Sequence, residues 1–265
     1  MTTFPLHLGR FVSWVIRHRE GITWGIMAFP LLFITLMVTA KLLTPAFYRT
    51  LIAENNVVEL ATCLAYLLAS GAAVSLTFDL WRENHRILSV MYVVLSAGLF
   101  VIAMEEISWG QHLIKNPSPE FFEQYNRQGE TNFHNIDVFP LHLAFILVGL
   151  YGAFSRMLLP EWLKKQNTRV VDLLTPPYYL FLYFFFTLAL YVYYEYLYYT
   201  QLQPSGLQWE EYWEEYFAVE AFISGKDQEP IELLLGLAFL LFVVVNKFRY
   251  RRGGPVARFA LRRAI

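Results

Sequence analysis

Two stretches hold most of the side chains that could do chemistry. The first is Met104-Glu105-Glu106-Ile107-Ser108-Trp109-Gly110-Gln111-His112; the second, after a polar loop, is Gln128-Gly129-Glu130-Thr131-Asn132-Phe133-His134-Asn135. Adjacent carboxylates stand at the end of the apolar run 90–103, where charge is costly to desolvate and is kept only for something it does. A hard divalent ion or Zn²⁺ takes oxygen and imidazole ligands, which makes Glu105, His112 and His134 a candidate metal set with an open position. Glu105 and Glu106 are candidate ligand and general base, and Glu130 an auxiliary acid. A site without metal would use the same carboxylates and imidazoles as proton carriers. Ser108, Gln111, Gln128, Asn132 and Asn135, with His142, Glu59, Glu195 and Glu232 from other runs, are candidate substrate-binding groups or hydrogen-bond partners of the reactive ones. On a continuous helix Glu105, Ser108, Trp109 and His112 would share one stripe, with Glu106 and Gly110 on the next.

The elements that must position these groups are read from the apolar pattern. Of 265 residues 56% are hydrophobic, 18% aromatic and only 16% charged, against about 25% charged in soluble domains, so lipid is the expected solvent for most of the surface. Six runs reach the ~20 residues a membrane-spanning helix needs: 24–43, 57–78, 88–107, 138–158, 178–198 and 231–248. The expected architecture is all-α: a polytopic membrane protein with six transmembrane helices, both termini inside, and short interfacial amphipathic helices. Residues 1–22 form a cytoplasmic interfacial segment, 23–248 the six-helix domain with outer loops 44–56, 108–137 and 199–230, and 249–265 a basic cytoplasmic tail. The first run is too long for a cleaved signal and no small-residue cleavage site follows it.

Orientation follows from Lys and Arg. Arg10, Arg17 and Arg19, then Arg82 and Arg86, then Arg156, Lys164, Lys165 and Arg169, then the cluster from Lys247 to Arg263 all fall on one side. Most of the 22 acids fall on the other, with His112, His134 and His142, whereas His7, His18 and His85 lie on the basic side as surface residues. Counting from the outer boundaries at about 1.5 Å per residue, Glu59, His142, Glu195 and Glu232 reach the depth of Glu105 and Glu106. Five of the six helices thus bring an ionisable group to one layer, facing the bundle interior or a wet cavity. Asn135 or Asp137 is placed to cap the fourth helix.

Local signals add detail. Ser118 can cap a short helix with Pro119 at its first position, laying Phe121, Phe122 and Tyr125 on the membrane surface. In 209–217, aromatics recur at helical spacing opposite four carboxylates, a second interfacial helix. Residues 11–16, apolar between arginines, are expected along the inner interface, and the tail from Arg249 is suited to anionic lipid. The stretch from Glu59 to Leu68 aligns with that from Glu232 to Leu241, a weak parallel repeat. A single cysteine, Cys63, excludes an intrachain disulfide, a Cys-based metal cluster and CxxC redox chemistry. H-E-x-x-H, G-x-S-x-G, P-loop and dinucleotide fingerprints are absent from the sequence.

The pairing of E-E-I-S-W-G-Q (Glu105–Gln111) with Q-G-E-T-N-F-H-N (Gln128–Asn135), together with the Glu-Leu openings at Glu59 and Glu232, resembles a group of bacterial integral membrane proteins. That resemblance implies a bacterial inner membrane and groups these residues together; it brings no activity with it. The expected function is a membrane-embedded protein with an outward-facing Glu/His site, with room for a divalent metal (Zn or similar), acting on a lipid or lipid-linked substrate. Two alternatives share the same residues: a proton- or cation-coupled transporter, and a non-catalytic subunit or assembly factor whose aromatic fifth helix meets a membrane-protein partner. The lipid bilayer is the first partner expected, and nothing points to nucleic acid.

Overall fold

The computed structural model describes residues 19–53, 56–126, 129–133, 136, 141–161, 168–197, 199–200 and 225–252. It is helical throughout: α1 (Arg19–Leu43), α2 (Pro45–Leu51), α3 (Val57–Arg82), α4 (Arg86–Glu106), α5 (Gln111–Ile114), α6 (Glu120–Tyr125), α7 (Leu141–Leu158), α8 (Thr168–Leu174), α9 (Phe181–Leu197) and α10 (Gln228–Arg252). No strand forms among the described residues, and the one bridge joins Asn126 to Ile136. Among the described residues six helices are long and apolar enough to cross a membrane: Glu20–Leu43, Val57–Arg82, Arg86–Glu106, Leu141–Leu158, Arg169–Leu197 and Gln228–Tyr250. The chain is a multi-pass membrane protein. The expected segments 11–16 and 209–217, the tail beyond Arg252, Asn135, Asp137, Gln128 and His134 lie outside the described residues.

Three spans differ in their bounds from the apolar runs. The third ends at Glu106 rather than continuing, because Ser108, Trp109 and Gly110 all take positive φ (46°, 54° and 76°), a conformation that ends a right-handed helix. The stripe Glu105–Ser108–Trp109–His112 therefore does not exist as a helical face. The fifth is interrupted near its start, where Pro176 and Pro177 separate α8 from α9, as prolines that cannot continue a helix require. The sixth begins earlier, at Gln228, and takes Glu229 and Pro230 into its first turn, where a missing N–H costs nothing. The short helix after Ser118 is present, but its cap position is Pro119 without a side-chain cap, because the Ser118 hydroxyl bonds to the Gly129 carbonyl instead.

Packing divides the spans. α3 lies between α4 and α10, α7 packs on α9, and α9 joins the two groups through α10. The α3–α4 contact is made close by small residues, and Ser70 and Ser96 exchange hydroxyl-to-carbonyl bonds of 2.9 and 3.1 Å across it. The two stretches that align in the sequence lie side by side, with Gly236 against Ala65 and Tyr66. α1 is peripheral: Leu32, Leu36 and Leu43 are exposed, as a lipid-facing helix requires. Pro30 in α1 lacks the N–H that would reach the Ile26 carbonyl; the Tyr183 hydroxyl supplies the missing donor at 3.1 Å. The aromatic fifth span turns Tyr183, Phe184, Tyr191 and Tyr194 into the core and leaves Tyr193, Tyr196 and Tyr199 outward.

The α7–α9 seam depends on two glycines. A Cβ on Gly149 would sit 2.8 Å from the Leu188 backbone nitrogen, and one on Gly152 would enter the Phe184 ring. Gly149→Ala is expected to lower stability by about 1–3 kcal/mol, because backbone on the facing helix must shift. Gly71→Ala, with nothing within 4 Å of the Cβ position and a place inside a helix, should instead gain about 0.5–1 kcal/mol. Thermal unfolding of the two variants in detergent checks the difference; equal effects would contradict the seam.

At one end of the bundle basic groups gather: Arg156 pairs with Asp172 at 2.7 Å, and Lys247 stands 3.9 Å from Asp79. The opposite end carries Glu59, Glu105, Glu106, Glu229 and Glu232.

Candidate carboxylate site at one end of an apolar cavity

The two polar stretches singled out by sequence do meet. Ser108 donates to Glu130 Oε2 at 2.5 Å, and His112 Nε2 lies 2.6 Å from Glu130 Oε1. Asn132 Nδ2 donates to Ser108 Oγ at 2.8 Å and to Glu130 Oε2 at 3.1 Å. Gln111 accepts from the Thr131 amide at 2.7 Å and donates to Ser118 Oγ at 2.7 Å, and Asn126 Nδ2 holds Asn132 Oδ1 at 2.7 Å. Ser108, Asn126 and Asn132 are buried. The loop after α4 is thus closed on itself by side chains, which replaces the backbone ladder that irregular segments lack.

The order of groups decides what this knot can do. In a nucleophilic triad the imidazole stands between hydroxyl and carboxylate, so that it can take the hydroxyl proton. Here the carboxylate of Glu130 stands between Ser108 and His112, and both its oxygens are occupied. Ser108 is held as a donor to a carboxylate, and no imidazole faces it among these contacts. Glu105 is similarly engaged: Oε1 accepts from Trp109 Nε1 at 2.7 Å and Oε2 from the Phe133 amide at 2.5 Å. These contacts pin the left-handed turn to the end of α4 and hold Phe133 over the cavity described next.

A cavity of about 500 Å³ opens beside this loop. Its walls are apolar, drawn from α4 (Val101, Ile102), α7 (Phe145, Val148) and α10 (Leu235, Phe239), and its polar lining comes from Glu105, Glu106, Glu232 and Tyr66. Carboxylate oxygens of Glu106, Glu229 and Glu232 all lie within 4.8 Å of one another. At that spacing each ionised pair repels by about 3 kcal/mol at an effective dielectric of ~20, so the cluster requires protons or a cation. Glu59 and Lys226 are within electrostatic reach of Glu232. Tyr191 donates to Glu232 at 2.7 Å and fixes its carboxylate.

The start of α10, which carries two of the three carboxylates, is anchored by Asp227. Lys41 of α1 bonds Asp227 at 2.6 Å, and Tyr48 of α2 donates to its other oxygen. Burial, reinforced by that hydrogen bond, pushes the Tyr48 hydroxyl upward, so it stays a donor at alkaline pH where an ordinary tyrosine ionises.

The expected single layer of ionisable groups is therefore two groupings. Glu106, Glu229 and Glu232 form one. His142 and Glu195 form the other, 2.9 Å apart, with the imidazole edge-on to Tyr191 at 5.4 Å between centroids, so Tyr191 separates the two. Among the described residues no cluster of three or more ligand atoms includes His112 or Glu105. Glu229 escaped the sequence reading; its signal was the Glu229-Pro230-Ile231-Glu232 spacing, which puts two carboxylates on one helical face once the helix starts before Pro230. Searches with family models, against curated proteins and against solved structures find no match.

Proposed function

We propose that this chain is a membrane-embedded enzyme of the bacterial inner membrane, acting on a lipid or lipid-linked substrate at a divalent-cation site formed by Glu106, Glu229 and Glu232. The carboxylate end faces outward and both termini are cytoplasmic, in accord with the Lys and Arg distribution. The exposed Phe121 and Tyr125 of α6 then rest at the outer interface. The observation that carries this reading is the convergence of three carboxylates from two helices, two of which, Glu106 and Glu232, line one end of an apolar cavity.

The donor set is all oxygen, which fits a hard ion such as Mg²⁺, Mn²⁺ or Ca²⁺ better than Zn²⁺. When bound, such an ion would polarise a phosphoryl or carbonyl oxygen of the substrate. The residues of the chain do the rest. Tyr191 orients Glu232, the Asp227 anchor sets the start of α10, and Glu105 with the Glu130 knot positions the loop that carries Phe133. Val101, Ile102 and Phe145 exclude water. This reading puts the cation at the triad and makes Glu130 a positioning residue; the His112, His134 and Glu105 set contains His134, which lies outside the described residues. A carrier is less well supported: the cavity nearer the basic end is lined by no Asp, Glu, Lys, Arg or His, so a polar ion has no relay there.

Elemental analysis of purified protein, dialysed against Mn²⁺, tests the proposal. Near-stoichiometric metal in the wild type, lost in Glu232→Gln and kept in His112→Ala, is the expected pattern; metal-free wild type, or loss only in His112→Ala, overturns it.

A further inference from the structure

A second cavity, of about 370 Å³, lies between the same helices toward the basic end, and Val148 and Phe239 line both cavities. α4 and α7 form its sides and α10 its floor, with α4 and α7 not among the closely packed helix pairs. The rims carry exposed apolar side chains, Met91 and Val101 on α4 and Leu147 and Tyr151 on α7, so both cavities border the surface that six spans present to lipid. Charged side chains line one end only. The upper cavity holds carboxylates. In the lower one the Tyr92 and Tyr151 hydroxyls are satisfied by backbone, donating to the Leu173 and Leu174 carbonyls at 2.8 and 2.7 Å. From Glu106 to Tyr92 the α4 backbone rises roughly 20 Å, more than half of a ~30 Å hydrocarbon core.

We infer that the two cavities are halves of one lateral cleft, which takes a single long hydrocarbon chain of a membrane lipid sideways between α4 and α7. The polar head lies at Glu106 and Glu232, and the tail runs past Val148 and Phe239 to the Tyr92–Tyr151 pocket. Chain length is read by that second pocket, whose two tyrosine hydroxyls are satisfied by backbone and whose lining is mostly apolar and free of charged side chains. The inference rests on the reading of the upper cavity as the substrate site, not on the cation.

Photolabelling in nanodiscs tests it, with hexadecanol and decanol carrying a diazirine at the chain end, in the presence of EDTA, followed by peptide mapping. An uncharged hydroxyl head can donate to a carboxylate without metal. Label from the long probe is expected at residues 91–95, 147–151 and 173–176, and from the short probe at 101–102 and 144–145. Val148→Trp should cut long-probe label at the lower pocket about tenfold and spare the short probe, while Leu36→Trp, on the lipid face of α1, should change neither. Excess unlabelled hexadecanol should compete in the wild type, a readout that needs no variant to fold. Label spread equally over α1, or not competed, overturns the cleft. Cleft labelling with no metal bound defeats only the cation site, and bound metal without cleft labelling defeats only this inference.

Discussion

Glu130→Ala lowers the stability of the folded protein by about 3 kcal/mol, whereas His112→Ala costs under about 1 kcal/mol. The difference follows from burial. The Glu130 carboxylate accepts from Ser108 at 2.5 Å and from Asn132 at 3.1 Å, and both donors are buried, with 2% and 0% of their surface exposed. Removing the acceptor orphans the buried Ser108 hydroxyl and takes from the Asn132 amide one of its two bonds, while Ser108 Oγ still accepts from it; an orphaned buried donor costs about 1–3 kcal/mol. His112 has 41% of its side chain exposed, so water replaces what it loses. Glu130→Gln keeps an acceptor oxygen and should fall between the two. Thermal unfolding in detergent measures all three. If His112→Ala proved as damaging as Glu130→Ala, the knot would not be the scaffold inferred from its geometry.

Glu232→Gln is expected to change sign with conditions. Without divalent ions it relieves repulsion within a cluster whose oxygens lie within 4.8 Å, and the variant should equal or exceed the wild type in stability. Gln retains an oxygen to accept the Tyr191 hydroxyl, so that bond is preserved. With Mn²⁺ at a hundred times its dissociation constant the wild type gains about 2.7 kcal/mol and a variant without the site gains nothing. Paired melting curves with EDTA and with Mn²⁺ read the crossover. Parallel shifts in wild type and variant would place the ion elsewhere.

The six spans were legible because lipid imposes its length on apolar runs and each run is bounded by charge. The meeting of the two polar stretches was legible too, since their Ser, Asn, Gln and Glu residues are costly to bury unless paired. The turn at Ser108–Trp109 was not: neither residue type favours positive φ, and only the surrounding bonds from Glu105 and Glu130 impose it. For the same reason the helical stripe through His112 was drawn across the break between α4 and α5. Glu229 was hidden by a boundary, because the hydropathy signal starts at Ile231 while the helix starts at Gln228. The separation of α4 from α7 had no signal at all; it depends on which small residues meet across α3–α4 and α7–α9, a pairing that apolar composition does not encode.

The position of the cation is the central claim, and anomalous scattering from crystals grown with Mn²⁺ locates it directly. A peak coordinated by Glu106, Glu229 and Glu232, at the head of the apolar cavity, is the result expected. A peak at His112 and Glu130, or crystals with none at saturating Mn²⁺, would contradict the account.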